Sequence, residues 1–326
     1  MNWLLLSLFA ALPGACASGA PRDHGPSASK QVTEISAMRP DPVSTKEPSK
    51  FACPPALLAA RRGGSVPERY VVPSAIERAA FSVLVKRLTS SNFDRGSVEA
   101  QAKTLGFRIL DVPEIPEALL LTELPTAKRG GGAYLFARTG KSTTVVQAPH
   151  TFFDEGTLPL ACELFSRSHA AALFIDTAHR FKAAEIDENG AFPADVAHAT
   201  DSLFQAATEG VLEAFGPLTV IQLHGFGPRE SGAAVVLSAG TSMLTSPLPS
   251  RARELLTPIV PGLVARYPDE SRELGATTNV QGEVVRRAGG RFLHVEMSAP
   301  FRQALLADDQ LRARYLDTLA SCLQLP

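Results

Sequence analysis

Three short stretches of this chain close a strand-like run with a side chain able to bind a metal or move a proton. The first is Val-Val-Gln-Ala-Pro-His150-Thr-Phe-Phe-Asp154-Glu155-Gly-Thr, the second Val-Ile-Gln-Leu-His224-Gly-Phe, and the third Phe-Leu-His294-Val-Glu296-Met-Ser. An apolar run delivers its last polar residue to the rim of a sheet, where open α/β proteins place their sites. Two imidazoles and one carboxylate form a catalytic zinc set that leaves a position for water. A further glutamate can then serve as general base.

Each piece has a plainer explanation. His150 and Glu155 are five residues apart, so one loop could wrap a cation with both, but acidic residues before Gly156-Thr157 could equally favour a helix start through its dipole. His224 follows a buried run and precedes glycine, which permits a tight turn and close approach by a ligand. It repeats the His150 pattern, and two convergent strand-end histidines are the minimum a metal site needs. In the third stretch His294 and Glu296 alternate onto one face, with Leu293, Val295 and Met297 on the other. Burying Glu296 without a partner is costly. A metal-activated water would supply that partner; an ion pair with Arg302 would do so too.

Asp176-Thr-Ala-His179-Arg180 ends another strand-like run. Asp176 and His179 are candidates to orient a ligating imidazole, and Arg180 could clamp a substrate carboxylate through its planar fork. His198 and Asp201 would lie one turn apart on a helix over 195–215. Thr139-Gly140-Lys141-Ser142-Thr143 imitates the end of a phosphate-binding loop, but the glycine required five places earlier is Leu135, and a hairpin turn explains the segment better. No Gly-x-Ser-x-Gly elbow is present, which disfavours a serine hydrolase.

The elements that must carry these residues alternate. Short strand-like runs at 107–112, 118–123 and 133–137 precede the His150 strand, and a helix is predicted over 74–88. Beyond it come a helix at 158–168, a strand at 170–176, the helix at 195–215, strands at 218–223 and 233–238, a helix at 251–267, the Glu296 strand, and a terminal helix over 301–323. Continuous apolar strands separated by helices indicate an α/β fold with a mixed, mainly parallel sheet and helices on both faces.

The chain has 326 residues, 45% of them hydrophobic and 20% charged, and a net charge of −1. That supports a sizeable core and offers none of the concentrated basic surface that a nucleic-acid partner requires. Residues 3–12 are an apolar run too short to span a bilayer, followed by Pro13-Gly14-Ala15-Cys16-Ala17, so 1–17 reads as a signal peptide. Cys16 also permits a lipoprotein anchor, although Pro13 stands where a lipobox leucine would. Residues 18–65 are expected to form a Pro- and Ser-rich disordered linker, and 66–326 the folded domain. Among the other cysteines no Cys-x-x-Cys pair occurs. A Cys53–Cys322 bridge is one possibility in an oxidising compartment, with Cys162 a buried thiol of an apolar helix.

Together the three stretches resemble those of zinc-dependent hydrolases with the metallocarboxypeptidase-like (phosphorylase/hydrolase-like) fold, in particular the N-formylglutamate amidohydrolase and poly-γ-glutamate hydrolase types. The likeness covers about residues 140–322 and is specific only in the motifs. It implies that His150, Glu155 and His224 hold Zn²⁺ and that Glu296 activates water; it implies nothing about the substrate, for whose carboxylate Arg180, and after it Arg302, are candidates on their own chemistry. Where carboxypeptidases carry His-x-x-Glu, this chain has Phe153 at the last position, which brings Asp154 into play as an alternative to Glu155. The arginine and tyrosine that set exopeptidase specificity have no clear counterpart. The resulting expectation is an extracytoplasmic amidohydrolase or peptidase acting on an amide-containing small molecule or peptide, with a possible membrane tether through Cys16. The alternative is a binding lipoprotein that keeps the fold without turnover.

Overall fold

The computed structural model describes residues 53–64, 70–90, 93–138, 142–181, 192–229, 232–243 and 246–324. The expected signal peptide, Cys16 and residues 18–52 of the expected linker lie outside these residues, as do Gly140 and Lys141 of the phosphate-loop look-alike. Among the described residues no helix is long and apolar enough to cross a membrane.

A nine-stranded sheet runs in the order β1-β2-β3-β5-β4-β6-β9-β7-β8. Its parallel centre is β5 (Ala172–Ile175), β4 (Thr144–Ala148), β6 (Thr219–Phe226) and β9 (Arg291–Ser298). On one side β1 (Phe107–Asp111), β2 (Ala118–Glu123) and β3 (Ala133–Ala137) add antiparallel strands. On the other, β7 (Ala233–Ser238) pairs antiparallel with β9 and parallel with β8 (Leu263–Arg266). The sheet is therefore α/β and mixed, as the alternation of runs implies, with the parallel strands concentrated where the site residues lie.

Both faces are covered. One buries Ile221, Leu223, Leu293, Val295 and Met297 beneath α1 (Pro55–Gly64), α4 (Thr157–Arg167), α6 (Leu248–Leu256), α8 (Ala299–Ala307) and α9 (Asp309–Gln324). The other buries Val220 and Phe292 beneath α2 (Ala75–Leu88), α3 (Arg95–Thr104), α5 (Leu203–Phe215) and α7 (Val280–Arg287). Ser74 starts α2 with a capping box closed by Glu77, which satisfies two otherwise unpaired donors.

Several expected boundaries move. The folded part begins before residue 66, because α1 lies inside the stretch expected to be linker and buries Leu57 completely. Cys53 is bonded to Cys162, not to Cys322, which is a buried free thiol. The expected helix over 195–215 starts only at Leu203, where Ser202 accepts from Gln205 N. The expected terminal helix is two, since Asp308 leaves helical geometry and its Oδ1 accepts from the backbone N–H groups of Gln310 and Leu311 at 2.9 Å. The helix expected over 251–267 ends at Leu256, and Leu263–Arg266 joins the sheet as β8.

Candidate metal centre

Because β4, β6 and β9 are parallel, their C-terminal ends share one edge of the sheet. His150 lies in the loop just past β4, and His224 and Glu296 are register partners on β6 and β9. Adjacent partners point to the same side of a sheet, so the residues picked out in the three sequence stretches meet at one place. His150, His224 and Glu296 are all buried.

The carboxylate that joins the two imidazoles is that of Asp154. Glu155 is exposed, and its backbone carbonyl accepts from Arg302 Nε at 2.6 Å. The turn after β4 explains the exchange. The N–H groups of Phe153 and Asp154 both donate to the His150 carbonyl, at 3.0 and 2.7 Å, and this curl brings the side chain at position 154 back over the histidine. Gly156 then opens α4 at φ 89°, a left-handed conformation that favours glycine. Asp154, and not the expected Glu155, is therefore the acid that faces the two imidazoles.

His150 Nδ1 lies 3.1 Å from His224 Nδ1, and Asp154 Oδ2 lies 3.4 Å from each. The far nitrogens are both committed as donors. His150 Nε2 faces Asp195 Oδ1 at 2.8 Å. His224 Nε2 faces Gln222 Oε1 at 2.7 Å. Gln222 cannot offer its amide nitrogen there, because that group donates to Gln147 Oε1 at 2.9 Å and lies 3.3 Å from Gln281 Oε1. Asn279 Nδ2 is a second donor to Gln222 Oε1, at 2.6 Å. With both Nε2 atoms protonated, the two Nδ1 lone pairs point at each other and at a carboxylate oxygen that has no hydrogen-bond partner.

Apart from Arg180 Nη1, at 3.4 Å from His150 Nδ1, nothing among the described residues donates to these three buried acceptors, and their convergence calls for a proton or a cation between them. Zinc bonds of about 2.0–2.1 Å at tetrahedral angles separate two donors by about 3.3 Å, which matches the observed spacings. The residues present therefore fit a divalent cation held by His150, Asp154 and His224, with Asp195 and Gln222 orienting the imidazoles.

Charge in the cluster follows from burial and pairing. Burial works against a charged His150, but Asp154 and Asp195 outweigh it and raise its pKa. Burial and the neighbouring His150 push His224 down to about 4 despite Asp154. Burial opposes the charge on Asp154 too, yet the two imidazoles hold its carboxyl well below the usual range. The facing Nδ1 atoms can thus share one positive charge but not carry two. Burial first, and then Asp154, pushes Glu296 up to about 8. Its Oε2 and His294 Nδ1 are also buried without partners, and His294 Nε2 lies 3.8 Å from Glu296 Oε1.

Arg180 belongs to the site. Its Nη2 bonds Asp195 Oδ2, and its Nη1 lies 3.4 Å from His150 Nδ1. The guanidinium also sits over Phe153 and Phe181, at 5.4 and 5.2 Å from their centroids. Arg302 is not placed to meet a substrate. Its guanidinium serves the backbone carbonyls of Glu155 and Met297 and approaches that of Phe226. The Asp176 side chain is buried and accepts from Thr177 N. His179 sits at 5.8 Å from the Phe153 ring. His198 is exposed against Thr278, and Asp201 pairs with Arg78.

Two orienting residues were not singled out by the sequence. Asp195 sits in irregular chain before α5, with nothing local to mark it. Gln222 and its neighbour Gln147 did leave a trace: each is the lone polar residue in an apolar strand core, Val-Val-Gln-Ala and Val-Ile-Gln-Leu.

No protein-family model matches the chain, and no curated protein matches it. Solved structures do. A bacteriophage poly-gamma-glutamate hydrolase is 13% identical with a TM-score of 0.41, over 60% of this chain and 89% of that one. An N-formylglutamate amidohydrolase from Ralstonia eutropha is 17% identical with a TM-score of 0.37, over 57% and 95%. A metallo-carboxypeptidase from Burkholderia cenocepacia is 14% identical with a TM-score of 0.37, over 64% of each chain. These likenesses are faint, and the chemistry rests on the side chains themselves.

Proposed function

We propose that this protein is an extracytoplasmic, zinc-dependent hydrolase of amide bonds. The observation that carries the reading is the pair of facing Nδ1 atoms with the unpartnered Asp154 Oδ2 beside them, next to Glu296 on the adjacent strand. A divalent cation held there would polarise a carbonyl and make water nucleophilic near neutral pH. Glu296 takes a proton from the attacking water and returns it to the departing nitrogen. It needs a nearby positive charge to ionise at neutral pH, and a cation held by His150, Asp154 and His224 would supply one. Arg180, whose Nε has no partner, is the candidate for a substrate carboxylate, which would have to compete with Asp195 for its guanidinium. The Cys53–Cys162 bond supports an oxidising compartment, in keeping with the leader-like 1–17.

The test is metal content beside activity. Purified protein should bind about one zinc per chain, and His150→Ala and His224→Ala should each lose it. Glu296→Gln should keep the zinc while hydrolysis of N-acyl amino acids, γ-glutamyl peptides or wall peptides falls by about 10²–10⁴-fold. Wild-type protein that takes up no zinc at any stage of purification would overturn the reading in favour of a binding protein.

A further inference from the structure

The loop that bears His150 and Asp154 is gripped from outside the site by two guanidinium groups, each on a backbone carbonyl. Arg302 of α8 takes Glu155 O at 2.6 Å. Arg61 of α1 takes Thr151 O at 2.8 Å. Arg61 also lies over the Phe152 ring, 4.4 Å from its centroid, a stacked cation–π arrangement that suits a planar guanidinium. It therefore holds two consecutive residues between the proposed ligands.

The helix that carries Arg61 is itself fastened near this loop. Cys53, just before α1, is bonded to Cys162 in α4, whose first residue, Thr157, directly follows the loop. Leu57 and Ala60 are buried in the same core as Leu158 and Cys162. One covalent tie and one guanidinium thus connect α1 to both sides of the segment 151–156. Arg302 has further duties at Phe226 and Met297. Among the described residues Arg61 spends its hydrogen bond and its ring contact on the loop, so its role can be isolated.

We infer that Arg61 is a positioning residue for the metal-binding loop, and that α1, latched by Cys53–Cys162, is the brace that presents it. The inference rests on the metal site proposed above. The imidazole of His150 and the carboxylate of Asp154 are close enough to a cation only while the turn between them stays curled, and that curl consists of the N–H groups of Phe153 and Asp154 donating to His150 O. Pinning Thr151 O and Phe152 from the far side restrains the middle of the turn. The brace lowers the cost of ordering the ligands when a cation binds.

Hydrogen exchange on the metal-free, full-length chain tests the brace directly, with α2 as internal control. Arg61→Gln should speed exchange in the 150–157 segment about tenfold or more, a local opening in a protein whose control helix is unchanged. The Cys53→Ser/Cys162→Ser double variant should do the same. Arg61→Lys should recover part of the protection, since it keeps a donor but not the planar stack. Zinc affinity by chelator competition should fall about 10–100-fold in Arg61→Gln, the range seen when supports of metal ligands are removed. Unchanged loop exchange in both Arg61→Gln and the double variant would overturn the inference, and so would loop exchange that rises only in step with α2. Failure of wild-type protein to bind zinc would instead count against the metal site, while the exchange rates still decide the role of Arg61.

Discussion

Gln222 Oε1 receives the Nε2 proton of His224 at 2.7 Å, and this contact decides which nitrogen of the imidazole faces the centre. The amide can hold only one orientation, because its nitrogen is already turned toward Gln147 Oε1 and Gln281 Oε1. Gln147 is fixed in turn by donating to Thr208 Oγ1 at 3.0 Å, and Gln281 by donating to Val196 O at 2.8 Å and Gln205 Oε1 at 3.1 Å. A relay of buried amides thus runs from α5 and α7 into the site.

Gln222→Leu should cut that relay at its last link. The buried Nε2–H of His224 would lose its acceptor, and the Nδ1-protonated tautomer would compete. Zinc affinity should fall about 10–100-fold. Nitrogen-15 NMR of the metal-free protein should show His224 leaving the Nε2–H form. An unchanged tautomer would mean that Gln222 does not set it.

Asp154 and Glu155 separate cleanly by substitution. Asp154→Asn removes the charge from a buried group that faces two imidazoles, and zinc binding should fall below detection by chelator competition. Glu155→Gln alters an exposed side chain and should bind zinc within about twofold of wild type, in keeping with the small effects of surface changes. The reverse pattern would place the ligand at residue 155 after all.

The difference between these two residues marks how far the sequence could be read. The strands and their polar ends were legible because apolar runs with a single terminal His or Glu are conspicuous. The placement of His224 beside Glu296 follows once β6 and β9 are parallel neighbours. Choosing between adjacent acids was beyond pattern, because it depends on a turn whose curl is set by backbone hydrogen bonds and the left-handed Gly156. Asp195 was hidden for another reason. The apolar spacing of α5 tempts the eye to start the helix at 195, whereas the chain before Ser202 is irregular and brings the carboxylate to His150. The role of α1 was masked by the polar composition that precedes it, and the pairing of Cys53 could not be read from cysteine counts at all.

The pH dependence of the metal-free protein draws on Glu296, His150 and the buried Asp176, which are raised, and on His224 and His294, which are lowered. Glu296 is pushed from 4.5 up to about 8, so the folded state keeps a proton that the unfolded chain releases. Its contribution to stability is full below the unfolded value and is lost as pH rises through the folded one. His150 is raised above 6.5 and acts in the same sense. His224 is lowered from 6.5 to about 4, so its contribution is present above 6.5 and is lost as pH falls toward 4. Between about pH 4.5 and 6.5 His224 therefore opposes Glu296. From 6.5 to 8 the raised groups, with Asp176 also pushed well above its ordinary value by burial, act in one direction, and stability should decline with pH. Denaturant melts of the metal-free protein should show that decline, and Glu296→Gln, which cannot titrate, should reduce it, leaving the part that comes from His150 and Asp176. A slope identical in wild type and variant would exclude Glu296 as its source.

Gly225 stands between His224 and Phe226, and a methyl group there would overlap the Arg302 guanidinium, including Nε at 2.8 Å. A long side chain can often step aside, but this one is buried. Moving it would strip the carbonyls of Glu155 and Met297 of a charged donor that ties the loop after β4 to the end of β9. Gly225→Ala should therefore cost about 1–3 kcal/mol, the usual penalty for overpacking a tight site. At about 2–4 °C per kcal/mol for a domain of this size, thermal melts should resolve it. The penalty should shrink when Gly225→Ala is combined with Arg302→Met, since the clash partner is then smaller and uncharged, and a double-mutant cycle would report the coupling. Additive effects of the two substitutions would show that the methyl group and the guanidinium do not compete for the same space.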